Sequence, residues 1–123
     1  MKIPGFIARQ FYVDGSLRNT DRGFQMQAQN PMGDGVIVGV GQIRVDGRDI
    51  DPGSVTAQRD SDPQPISASQ VDAQHPVSVS KGDRVTLHVA GAPLAPGQHQ
   101  LEVELVERNL GQLSFAISDT VVG

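Results

Sequence analysis

Across residues 93–106, PLAPGQHQLEVELV, His99, Leu101, Val103 and Leu105 fall on one parity, and Gln100, Glu102 and Glu104 fall on the other. That alternation is the period of a strand with one wet face. Val85, Leu87 and Val89 repeat it just upstream, with Pro93, Pro96 and Gly97 between the two runs. The pattern predicts a hairpin at the centre of an all-β core.

The rest of the chain reads in the same register. Residues 6–13 carry apolar side chains on both parities (Ile7, Phe11 and Val13; Phe6, Ala8 and Tyr12), which predicts a first strand covered on both faces. Phe24, Met26 and Ala28 alternate with glutamines and end at Asn30-Pro31, where the proline removes a ladder donor. Residues 36–40 form an apolar run whose glycines predict a bulge or a close backbone approach. Residues 43–50 read as a hairpin, because Asp46-Gly47 supplies the positive φ values that a tight primed turn needs. A polar, proline-bearing stretch at residues 60–65 separates short segments at 55–58 and 66–69. Val77-Ser78-Val79 and residues 112–122 supply the last strands.

These segments amount to about eight short strands spaced roughly 8 to 12 residues apart, the arrangement of an antiparallel β-sandwich, immunoglobulin-like or jelly-roll-like. A small closed barrel is the alternative. The 123 residues fit one domain, 1–123, and are enough to bury a core without disulfides or metal. Fourteen glycines and eight prolines punctuate the chain at short intervals, which favours strands and turns over long helices. A net charge of −4 offers no basic field for nucleic acid. No apolar run approaches the roughly 20 residues of a spanning helix, and MKIPGFIARQ lacks the apolar segment of a secretory signal, so the expected location is the cytoplasm. With no cysteine, thiol nucleophiles and zinc-thiolate sites are excluded.

Reactive constellations are sparse. His75, His88 and His99 show no metal-ligand spacing. His88 should face away from the apolar seam, whereas His99 shares the parity of Leu101 and should cap the core edge through hydrogen bonds. Glu102 and Glu104 share a strand face and read as a solvated surface; as an acid–base pair they would need a covering cleft. No Gly-x-Ser-x-Gly elbow is present, and Gly33, Gly35, Gly39 and Gly41 do not open a helix, so neither a hydrolase elbow nor a phosphate cradle is expected. Trp is absent and Tyr occurs once, which argues against a sugar-stacking carbohydrate module. The residues themselves therefore point to a domain without a reactive site of its own.

The string Gly15-Ser16-Leu17-Arg18-Asn19, then Gly23-Phe24, Asn30-Pro31, Val45-Asp46-Gly47, Gly82-Asp83-Arg84-Val85-Thr86-Leu87 and Leu94-Ala95-Pro96-Gly97-Gln98-His99 with Leu101-Glu102, resembles the small β subunit of bacterial C-glycoside deglycosidases. The resemblance implies a β-sandwich bound to a TIM-barrel α subunit, sugar-isomerase-like, that holds a divalent metal, usually manganese. It implies lyase chemistry on a 3-oxo-C-glycoside such as a flavonoid C-glycoside, by acid–base elimination, with no catalytic residue, metal or cofactor on this chain. Arg18, Asn19, Asn30 and Pro31 would contact partner or substrate, since they sit at turns and carry groups that reach outward. Asn19 and Asn30 have an alternative role, completing turns through their own backbone. The competing expectation is a stand-alone immunoglobulin-like binding or structural domain with no enzyme partner.

Overall fold

In the computed structural model, which describes residues 1–122, the alternating segments form ten strands in two sheets. One sheet runs, in spatial order, β1 (Arg18–Thr20), β2 (Gly23–Gln29), β8 (Arg84–Ala90), β5 (Val55–Arg59) and β6 (Ile66–Ser67). The other runs β10 (Gly111–Val121), β9 (Gly97–Glu107) and β3 (Gly35–Val45), with β4 (Arg48–Ile50) and β7 (Val77–Val79) sharing the far edge of β3. Every pairing between these strands is antiparallel. The all-β sandwich expected from the alternation is the architecture found.

The central hairpin is not. β8 pairs with β2 and β5, whereas β9 pairs with β10 and β3, so the two aliphatic seams lie in different sheets. Residues 91–96 cross between the layers. Pro93 and Pro96 cannot donate ladder hydrogen bonds, and Leu94 is buried. A seam needs an apolar partner surface, and a facing sheet about 10 Å away satisfies it as well as a neighbouring strand. Fully burying each Val or Leu in that layer contributes about 1.5–3 kcal/mol.

Residues 6–13 also depart from expectation. They form a short helix, α1 (Gly5–Ala8), and a 3-10 turn over Arg9–Phe11. The Pro4 carbonyl accepts hydrogen bonds from the N–H groups of Ile7 and Ala8, which closes the first turn. The apolar residues on both parities include Ala8 and Tyr12, an i, i+4 pair that shares one helical face, and both are buried. Only Tyr12 keeps a strand-like bridge, to Ala28.

β3 carries what its glycines implied. The register against β9 shifts between Ile37 and Gly39 and again between Val40 and Ile43, and one continuous strand replaces the two runs read in the sequence. A Cβ on Gly41 would stand 3.0 Å from the Glu104 Cβ. At the β3–β4 turn, Asp46 (φ 53°) and Gly47 (φ 79°) adopt the left-handed conformation of a tight primed turn.

Candidate binding cleft

The inner faces of the two sheets enclose an apolar space that is sealed at one end and open at the other. At the sealed end Val45, Val55, Val89 and Leu101 are each at most 3% exposed. Further along the same strands and on the same parity, Val85, Leu87, Val103 and Leu105 are only half-buried, as are Ile37 and Val40 of β3. Between these half-buried side chains lies a cavity of about 220 Å³ lined almost wholly by apolar side chains. Tyr12, Gln27, Asn30 and Asp83 are its polar neighbours.

The polar groups around the cleft are engaged in holding the frame. The Tyr12 hydroxyl donates to Asp119 Oδ2 at 2.5 Å, and Asp119 also accepts from the backbone N–H groups of Leu17 and Thr120. Burial pushes the Tyr12 phenol well above its ordinary pKa, and the bond to Asp119 adds to that, so it remains a donor. For Asp119 burial opposes ionisation, but the Tyr12 hydroxyl and the Thr120 and Leu17 N–H groups outweigh it and hold the carboxyl below the usual range. Glu107, the only buried charged residue among those described, accepts from the N–H groups of Val36, Asn109 and Leu110, which tie the β9–β10 turn to the start of β3. Those N–H groups, Val36 first, lower its pKa. Its parity with Leu101 and Leu105 is the signal in the sequence that could have marked it.

His99 behaves as its parity indicated. Its side chain is 11% exposed, with Nδ1 2.6 Å from Asp46 Oδ2 and Nε2 2.7 Å from the Ala95 carbonyl. Both neighbours accept, so both ring N–H groups donate and the ring is held as imidazolium; the Ala95 carbonyl and then Asp46 raise its pKa. His88 lies on the outer face and bonds Thr20 Oγ1 at 2.8 Å. Glu102 and Glu104 line a polar groove on the outer face of the β9 sheet, where Arg44 lies 4.0 Å from Glu102 and Gln112 donates to Glu104. That mixed-charge surface is a solvated strand face. Among the described residues no group of three or more His, Cys, Asp or Glu side chains could hold a metal ion.

The structure does not bring Arg18, Asn19, Asn30 and Pro31 together. Arg18 and Asn19 lie opposite Gln25 and Phe24, near the start of β2, whereas Asn30 and Pro31 follow its end. Six residues of extended chain from Phe24 to Asn30 span about 20 Å. Asn19 clips the crossing link, donating to the Leu94 carbonyl and accepting from the Leu94 N–H, both at 2.8 Å. Asn30 accepts from the N–H groups of Met32 and Gly33 and donates to the Gly33 and Val79 carbonyls, which completes its own turn. Sequence reasoning missed the lining of the cleft, because the two apolar seams were read as side by side.

The class these features define is a small antiparallel β-sandwich with an apolar interior open at one end. The model of one family, the hydroxymethylglutaryl-CoA reductase N-terminal domain, matches residues 7–122, and the chain belongs to that family. No curated protein matches the chain. Membership in this family overturns the resemblance to the small subunit of C-glycoside deglycosidases. With it go the lyase chemistry on a flavonoid C-glycoside, the TIM-barrel partner and the manganese assigned to that partner. The physical reason lies in the motifs themselves: Gly15, Asp46-Gly47, Gly82 and Gly97 all sit at positive φ, so the backbone dictates those residues wherever such turns occur. No helix among the described residues is long and apolar enough to cross a membrane.

Proposed function

We propose that this chain is a binding domain that serves a hydroxymethylglutaryl-CoA reductase without carrying the reaction, and that it takes an apolar group into the cleft between its sheets. The observation that carries this reading is the loss of burial along one parity, from Val89 and Leu101 to Val85 and Leu105, around a cavity of about 220 Å³. Concave, mostly apolar space with a few polar groups at its edge is the usual form of a small-molecule site. The family's name ties domains of this kind to the reductase. The engagement of Asp119, Glu107 and His99 in backbone and turn contacts supports a binding role over a chemical one. In this reading residues 1–123 act as one domain, located in the cytoplasm.

The test is isothermal titration calorimetry of the chain with indole, a neutral probe compact enough for a cavity of about 220 Å³. Heat of binding in the parent and its loss in Leu105→Trp, with an unchanged circular dichroism spectrum, is the expected result. Equal heats from both proteins, no binding heat in the parent, or reduction of hydroxymethylglutaryl-CoA by the isolated chain, would overturn the reading.

A further inference from the structure

We infer that the cleft takes a compact hydrocarbon group and discriminates against hydroxylated or carboxylated molecules of similar size, the hydroxymethylglutaryl group among them; this rests on the binding reading above. Size comes from the cavity. At about 220 Å³ it exceeds by about half the dry apolar cavity of about 150 Å³ that holds benzene in another protein, so an occupant of roughly nine non-hydrogen atoms fills it. A long acyl chain exceeds that space.

Selectivity comes from a lining with no hydrogen-bonding group to spare. β8 lies between β2 and β5, and β9 between β10 and β3, so their backbone N–H and C=O groups are directed at neighbouring strands rather than into the space between the sheets. What these two strands present to that space is aliphatic: Val85, Leu87, Val103 and Leu105. The polar residues at the edge are committed elsewhere. The Tyr12 hydroxyl donates to Asp119, the Gln27 amide to Thr86 Oγ1 at 3.4 Å, and the Asn30 amide serves its own turn and the Val79 carbonyl. The Asp83 carboxylate accepts from the Ser80 N–H at 2.7 Å. Among the described residues no buried side-chain nitrogen or oxygen lacks a partner. A hydroxyl or carboxyl group drawn into the cleft therefore gives up its water and finds no replacement, which opposes binding, whereas a methyl group in the same place loses no such contact. A molecule with one polar edge can turn it to the open end. One that is polar at both ends cannot.

p-Xylene and hydroquinone, alike in size and shape, carry methyl or hydroxyl groups at both ends and so separate the possibilities. Methyl-resolved NMR titration of the full chain follows Leu87 and Leu105, with 3-hydroxy-3-methylglutarate as a third compound. Val85→Thr and Val103→Thr, one in each sheet, bring a hydroxyl into the cleft at nearly unchanged volume, and either variant suffices. The expected result is that p-xylene shifts the cleft methyl groups and binds about 10- to 100-fold more tightly than hydroquinone, while 3-hydroxy-3-methylglutarate leaves them in place. In the threonine variants the preference for p-xylene should narrow by about threefold or more. Equal affinity for p-xylene and hydroquinone, a preference that the threonine variants leave unchanged, or a cleft shift caused by 3-hydroxy-3-methylglutarate overturns the selectivity while the binding reading stands. Failure of every compound to shift the cleft methyl groups overturns both.

Discussion

Replacing Tyr12 by Phe isolates the contact that fastens the N-terminal segment to the last strand. The ring is 5% exposed and its packing survives the substitution, so there is no cavity to account for. What is lost is the hydrogen bond to Asp119 Oδ2 at 2.5 Å. A bond to an ionised acceptor contributes about 1.5–3 kcal/mol, and Asp119 keeps the N–H groups of Leu17 and Thr120, which places the expected loss near the lower end, about 1.5–2 kcal/mol. For a chain of this length that lowers Tm by roughly 5–12 °C. The pH dependence has a definite sign. The folded pKa of Asp119 lies below its unfolded value, so its contribution is present above the unfolded pKa, near 3.9, and is lost as pH falls through the folded value. Urea unfolding followed by circular dichroism at pH 7 and under acid measures both effects. A Tyr12→Phe protein within about 0.5 kcal/mol of the parent at pH 7, or strict additivity with Asp119→Asn, would refute the reasoning.

Three further outcomes follow from local geometry. Gly15 and Gly23 both have positive φ, but a Cβ on Gly15 meets nothing within 4 Å, whereas on Gly23 it would stand 2.0 Å from the Val89 carbonyl oxygen. Gly15→Ala should therefore cost about 1–2 kcal/mol, and Gly23→Ala distinctly more, because β2 and β8 must separate; chemical denaturation of the two proteins ranks them. Asn19→Ala leaves the Leu94 N–H and carbonyl without their partner and should cost about 1–3 kcal/mol by the same measurement. His99 has a folded pKa above its unfolded one, so its contribution is complete below about pH 6.5 and fades as pH rises through the folded value. The difference in Tm between the parent and His99→Gln should accordingly shrink from pH 6 to pH 9, and a constant difference would count against the imidazolium.

Legibility in the sequence followed the range of the interaction. The Asp46-Gly47 turn, the register shifts of β3 at its glycines and the inward position of His99 depend on a residue and its near neighbours, and each was readable as such. Residues 6–13 were misread because apolar side chains on both parities fit a covered strand and a helical turn equally well, and Pro4 decided for the helix. Arg18, Asn19, Asn30 and Pro31 were grouped because turns present side chains outward, yet Asn19 turned back onto Leu94 and Asn30 onto its own loop. Turn residues also misled the choice of family, since the same glycines and asparagines serve any chain that bends in the same way.

Alternation with period two, broken by glycine and proline, was enough by itself to determine that this chain forms short strands with one apolar face each, because side-chain direction in a strand follows from the backbone alone. Which seam meets which was decided only by the tertiary structure. Residues 85–89 and 99–105 could have paired as neighbours or faced one another across two sheets, and both solutions bury the same side chains. The crossing at residues 91–96, held by Asn19 and Leu94, selects the second, and the cleft exists only because of that selection.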